Sequence, residues 1–292
     1  MPGARTPRGP RRSPAERVRA RLRATAGDRA ADAMPPGYQR LGRVLVLRLP
    51  DALAPWFGEI GRAWQEELGV ATVLVRTGPI SGELREPAVR RIAGGGTETE
   101  VVEHGVRWRF DAARLMFAAG NRTERRRLGA LVRPGEHVVD LFAGIGYFAI
   151  PIARSDPGVR VTAVEKNPVA HGYLVDNACL NGVADRIDAR LGDNRREPTG
   201  VPPADRVILG YLPDATPWIG RALELAAPEG AWLHVHTVAD ARGAVERART
   251  ATARAVEAAG GRAIGTSAAR AVKPYGPGRT HVVVDVRAAP VR

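Results

Sequence analysis

The sequence predicts an α/β protein, with a doubly wound, mostly parallel sheet in its C-terminal half and a small α+β domain before it. Three observations carry this prediction. Val138–Ile150 begins as a short apolar strand, passes an acid and a glycine-rich turn, and continues as an apolar helix. Strands and helices then alternate to the C-terminus, the pattern of βαβ units. Acids stand at three successive strand tips, Asp140, Glu165 and Asp193, and in open α/β sheets ligands collect at those carboxyl ends.

The chain has 292 residues, enough for one large domain or two smaller ones, and 44% of them are hydrophobic, ample for a core. The single cysteine, Cys179, excludes an internal disulfide and a cysteine-based metal site. No apolar run approaches the ~18–20 residues of a membrane span. The basic N-terminus lacks an apolar signal region, so a soluble cytoplasmic protein is expected. The net charge of +13 favours polyanions, nucleic acid above all. The bias toward Arg, Ala, Gly and Pro is also what a GC-rich genome produces, so charge alone does not decide the partner.

Residues 1–36 are rich in Arg, Pro and Ala. Ser13–Ala26 has a helix start, with Ser13 as N-cap, Pro14 first and Glu16 third, a capping box. Its apolar content looks too low for strong packing, so a mobile basic arm is expected. Residues 37–112 read as the small α+β domain. Leu41–Arg48 is strand-like, Trp56–Leu68 an amphipathic helix and Val73–Arg76 another strand. Thr97–Glu103 and Val106–Phe110 alternate about His104-Gly105, a hairpin signal. Residues 113–130 read as a linker helix. Asn121 is its N-cap, followed by Arg122, Arg125, Arg126 and Arg127, which suit phosphate or carboxylate as well as a solvated face.

Residues 131–292 form the sheet domain. Gly144, Gly146 and Ala149 fit the dinucleotide pattern G-x-G-x-x-G/A, and Glu165 follows at about the expected ~20-residue distance. Asp140 argues for another ligand. A carboxylate just before the glycines repels a pyrophosphate and suits a ligand with a positive charge, such as the amino group of S-adenosylmethionine (SAM). The plainer reading is that Asp140 caps the turn. Glu165 can accept hydrogen bonds from both ribose hydroxyls, and Asp193 stands where a side chain reads the adenine amino group. Helix Val169–Asn181, strands Ile187–Leu191 and Val207–Gly210, helix Pro217–Ala227, strand Trp232–His236, helix Ala239–Ala259 and strand His281–Val286 complete the pattern. His234 and His236 share one face of a strand. Buried structural histidines are the expectation there, since no third ligand completes a zinc site.

Asp140–Ala149, Val164–Pro168, Leu191–Arg195 and Ala204–Pro213 resemble the class I SAM-dependent, Rossmann-like transferase fold. More narrowly, the chain from about Tyr38 onward resembles two related tRNA enzymes. They are the tRNA guanine N1-methyltransferase and the wybutosine-pathway enzyme that transfers the 3-amino-3-carboxypropyl group of SAM. Thr97–Glu100, Phe110-Asp111, Met116-Phe117, Gly120-Asn121 and Glu124-Arg125 resemble the family's preceding small domain and linker, and Lys273–Gly278 its closing turn. The methyltransferases have Asn-Leu-Pro after strand four, whereas this chain has Gly210-Tyr211-Leu212-Pro213. With Glu165–Pro168 and His234–Thr237, that resembles the aminocarboxypropyl branch. The resemblance implies SAM as the group donor and no metal. It implies contacts to SAM from Asp140, Phe142, Gly144, Gly146, Glu165, Lys166, Asp193, Asn194 and Gly210. Tyr211, Arg125 and Phe117 are the catalytic candidates. The expected partner is tRNA. The alternatives are a small-molecule acceptor, no acceptor at all if the SAM amine attacks its own γ carbon to close azetidine-2-carboxylate, and methyl transfer to tRNA.

Overall fold

The structure, a computed structural model, describes residues 12–291, which fall into two compact units. The first runs to Val101 and takes in Phe110–Phe117; the second comprises Val102–Arg109 and the chain from Ala118 onward.

The first unit begins with α1 (Pro14–Ala26) and α2 (Asp28–Ala33). Ser13 and Glu16 form the expected capping box. The expected arm is different over its described part. Val18 and Leu22 are 1% and 0% exposed and pack in one apolar cluster with Leu45, Ile60 and Trp64. Ala15, Val18 and Leu22 recur at helical spacing, so a narrow stripe is enough to seat an otherwise arginine-rich helix. Residues 1–11 of that arm lie outside the described residues. The sheet runs β1 (Tyr38–Leu41), β2 (Val44–Leu47), β3 (Thr72–Arg76) and β4 (Val89–Gly94), with β2 and β3 parallel. The amphipathic helix α3 (Phe57–Leu68) forms the crossover between them. Leu41–Arg48 is thus not one strand but a hairpin. Gly42 turns it at φ +54°, where a side chain would strike the Glu100 carbonyl.

The hairpin β5 (Glu98–Glu103) and β6 (Val106–Asp111) follows, with His104 at φ +51° in its turn. Its tip, Val102–Arg109, belongs to the second unit. The second unit then runs α4 (Arg122–Leu131), β7 (His137–Asp140), α5 (Ala149–Ala153), β8 (Arg160–Glu165), α6 (Pro168–Leu180), β9 (Ile187–Leu191) and β10 (Arg206–Leu209). After these come α7 (Ile219–Leu225), β11 (Ala231–Asp240), α8 (Ala244–Ala258), β12 (Gly261–Ala263), β13 (Ala268–Gly276) and β14 (Arg279–Pro290). The strand order is β12-β14-β11-β10-β7-β8-β9, with β13 paired to β14. Strands β11, β10, β7, β8 and β9 are parallel. At the centre of this parallel set β7 and β10 read as short, near-continuous apolar runs, the pattern of strands covered on both faces. Val139, Leu141, Val207, Leu209, Leu233 and Val235 are fully buried there.

A second core, of charges, lies in this unit. Asp285 accepts from His234 Nδ1 at 2.7 Å and from Arg127 at 2.8 Å, and Arg270 also pairs with it. Arg127 also pairs with Glu124. Burial works to raise the Asp285 carboxyl, but the His234 hydrogen bond and the Arg127 charge outweigh it and hold it below the ordinary range. His236 bonds His281 at 3.0 Å, and burial depresses both rings. Both histidines that share a face of β11 are therefore engaged in buried contacts within the protein.

Candidate active site

The turn after β7 depends on two glycines. Gly144 and Gly146 sit at φ +57° and +99°. A Cβ on Gly144 would lie 2.9 Å from the Tyr147 ring, and one on Gly146 2.8 Å from Ile150 Cγ1.

Two carboxylates frame this turn. Asp140 is wholly buried at the end of β7; its Oδ1 accepts from the Phe142 amide at 3.1 Å. That is the turn-capping contact, and it uses one oxygen. Oδ2 is buried without a hydrogen-bond partner among the described residues. Burial pushes the carboxyl up to about 7; the Phe142 hydrogen bond opposes this shift, and the neighbouring Glu165 charge adds to it. Glu165, at the end of β8, accepts from the Gly144 amide through Oε2 and the Asn167 amide through Oε1, each at 2.7 Å. Burial raises its pKa against these bonds. The Lys166 amide also donates to this carboxylate; three donors leave part of its roughly four-site acceptor capacity for a ligand hydroxyl.

The loop after β9 brings Asp193, whose Oδ2 pairs with Lys166 Nζ at 3.0 Å and whose Oδ1 accepts from the Arg195 amide at 3.0 Å. The Arg195 hydrogen bond and then the Lys166 charge hold this carboxyl below its ordinary value. Asn194 spends its amide on the protein. Its Nδ2 donates to the Leu141 carbonyl and its Oδ1 accepts from Trp218 Nε1, both at 2.8 Å. The side chain of Asn194 thus braces the end of β7.

Beyond β10, Tyr211 joins an aromatic trio. The Phe142–Tyr211, Phe142–Trp218 and Tyr211–Trp218 ring centroids are 5.3, 5.2 and 5.1 Å apart. Gly210 stands beside this wall, where a Cβ would come 3.1 Å from the Phe148 ring. Asp140, Phe142, Gly144 and Glu165 therefore meet, with Lys166 and Asp193 paired and Tyr211 against Phe142. Arg125 is 2% exposed and pairs with Glu103; its guanidinium carbon lies 4.8 Å from the Tyr147 ring centroid. It is a buried link rather than an open phosphate contact. Phe117 belongs to the first unit and stacks on Phe110 at 5.0 Å. Sequence reading missed Trp218 and Phe148. Phe148 lies within the glycine turn itself and was visible as an aromatic near a strand end, whereas Trp218 follows Thr216-Pro217 at a helix start, away from any strand tip.

A strand-tip cradle with one buried and one half-buried acid, an aromatic wall and no cluster of three metal-type ligands among the described residues can hold a nucleoside that carries a positive charge. The comparisons agree with that geometry. Residues 99–262 match the TRM5/TYW2 methyltransferase domain, and residues 18–97 match the TYW2 N-terminal domain. The chain is 37% identical over 254 residues to a tRNA(Phe) (4-demethylwyosine(37)-C(7)) aminocarboxypropyltransferase of Pyrococcus horikoshii, covering 87% of this chain and 90% of that protein. The crystal structure of P. horikoshii TYW2 in complex with MeSAdo superposes with a TM-score of 0.81 at 32% identity, over 95% of this chain and all of that one (100%). Trm5b from Pyrococcus abyssi follows at 0.73 and 28%, over 87% of this chain and 76% of that one. The cradle, both domain matches and the extent of these likenesses place the chain in the TRM5/TYW2 family of SAM-dependent transferases.

Proposed function

We propose that this chain transfers the 3-amino-3-carboxypropyl group of SAM to a modified guanosine base of tRNA and releases 5′-methylthioadenosine. The observation that carries the reading is the cradle itself, where Asp140 Oδ2 is buried beside the glycine turn with no partner among the described residues. That orphaned acceptor fits the ammonium of the methionine arm. Glu165 takes the ribose hydroxyls, Asp193 the adenine amino group, and Lys166 holds Asp193 in place. Phe142, Tyr211 and Trp218 form the wall next to the sulfonium, a cation–π contact of about 0.5–2 kcal/mol. SAM supplies a sulfonium-activated γ carbon: its bond to sulfur breaks, sulfur keeps the electron pair, and the acceptor gives up a proton as the new bond forms. The protein selects that carbon over the methyl group by orienting the arm, since alignment carries much of the rate. Gly210 supports this choice, because the Phe148 ring stands where a larger side chain would project. The TYW2 N-terminal domain match supports the same branch.

Mass spectrometry of the spent SAM, with and without bulk tRNA carrying the wybutosine precursor, tests the reading. Methylthioadenosine formed only with tRNA is expected. S-adenosylhomocysteine would make the chain a methyltransferase. Methylthioadenosine without tRNA would mean that SAM closes on itself. A chain that turns over only with an added metabolite would have a small-molecule acceptor.

A further inference from the structure

The second unit holds a cavity of about 170 Å³ that the site above does not use. Val106, Trp108, Gly129 and Pro151 form its apolar floor; His104, Arg126, Arg154 and Ser155 stand at its rim. It lies at the C-terminal end of α5, whereas the glycine turn lies before the N-terminal end of that helix. The cavity is well below the ~300 Å³ at which pockets begin to enclose a drug-sized ligand. A whole SAM does not fit it; a phosphate with part of a sugar does.

Its charge selects the ligand. Among the described residues Glu103 is the only acid in the lining, and Arg125 and Arg122 neutralise it. Arg126 and Arg154 are exposed. Arg154 donates to the Gly105 carbonyl, which fixes it beside the hairpin turn. Arg126 has no hydrogen bond or ion pair among the described residues, so its guanidinium keeps all its donors for a ligand. Two guanidiniums at the rim of a small cavity, with the wall acid already paired, are complementary to a phosphodiester oxygen.

Resting on the function proposed above, we infer that this cavity docks a backbone phosphate of the RNA acceptor. Arg126 and Arg154 bind the phosphate, and the floor over Trp108 receives the adjoining sugar. Arg125 is common to both places. Its guanidinium carbon lies 5.2 Å from the Trp108 ring centroid and 4.8 Å from that of Tyr147, beside Gly144. The RNA backbone is therefore held one side chain away from the SAM-binding turn.

The test is tRNA binding to the full chain across a salt series, with SAM affinity measured in parallel. Arg126→Glu is expected to weaken tRNA binding tenfold or more, to lower the salt slope by about one, and to leave SAM affinity unchanged. Arg126→Lys, which keeps the charge, should recover most of the loss. Because Arg154 also holds the hairpin, Arg154→Gln is judged only alongside these. Wild-type tRNA affinity and salt slope in Arg126→Glu would overturn the inference. So would a thermal shift with inorganic phosphate that Arg126→Glu abolishes while tRNA binding is untouched, since the cavity would then be a small-anion site. If no tRNA yields methylthioadenosine but Arg126→Glu still loses RNA, the reaction assigned above fails and the docking site stands.

Discussion

Both units contain a parallel strand pair joined by a helical crossover, and only one of them ends in acids. In the first unit β2 and β3 finish at Leu47 and Arg76. In the second, β7 and β8 finish at Asp140 and Glu165, and Asp193 follows β9. The backbone geometry is of one kind. What separates a scaffold from a binding site is what the sequence places on the last residue of each strand. The first unit spends its interior on Leu, Val, Ile and Trp side chains, whereas the second leaves a carboxylate oxygen buried and open.

That contrast can be broken in order of effect. Leu22→Ala removes a fully buried side chain from the first core and should cost about 2–5 kcal/mol of stability. Denaturant unfolding should show this loss, and SAM affinity measured below the transition should not change. If SAM binding falls as much as stability does, the two units are one cooperative body. Glu165→Ala acts the other way round. It removes the hydrogen-bond acceptor for Gly144 as well as the ribose contact, so SAM binding should weaken tenfold or more, on the order of 1.4 kcal/mol. Unchanged affinity by calorimetry would take Glu165 out of the site.

The smallest effect is in pH. Asp140 is ionised only as pH rises through about 7, and the ionised form is the one that accepts from a cation. SAM affinity should therefore rise severalfold between pH 5.5 and 7.5, where the SAM ammonium is still protonated. Stability runs in the opposite direction. The folded chain holds a proton that the unfolded chain releases near pH 4, so this contribution is full below about pH 4 and is lost as pH rises through 7. Asp140→Asn should flatten both profiles. A wild-type slope in that variant would assign the titration to another group.

The second unit was more legible in sequence than the first, for a physical reason. Central strands such as β7 and β10 leave short apolar runs in the sequence, and their tips carry residues that no core needs. All three acids fell where the spacing placed them. The packing of α1 was not legible, because Ala15, Val18 and Leu22 are few among arginines and their value depends on Trp64 and Ile60 waiting opposite. Strand β13 was also missed. It lies outside the main strand order and pairs only with β14, and its mixed, half-exposed residues lack a period. Within the site, the bonds of the Asn194 side chain to Leu141 and Trp218 were not legible from its place beside Asp193. Partners supplied from distant sequence decide such cases.

The bond from the Gly144 amide to Glu165 has a consequence for recognition. It closes the turn across two strands using atoms of the protein alone, so the loop is ordered before any nucleoside arrives. The ordering entropy is then settled during folding rather than on binding. A pocket of that kind discriminates by rigidity. It gains little from reshaping around a near-cognate nucleoside, and a mismatched ligand meets walls that do not yield.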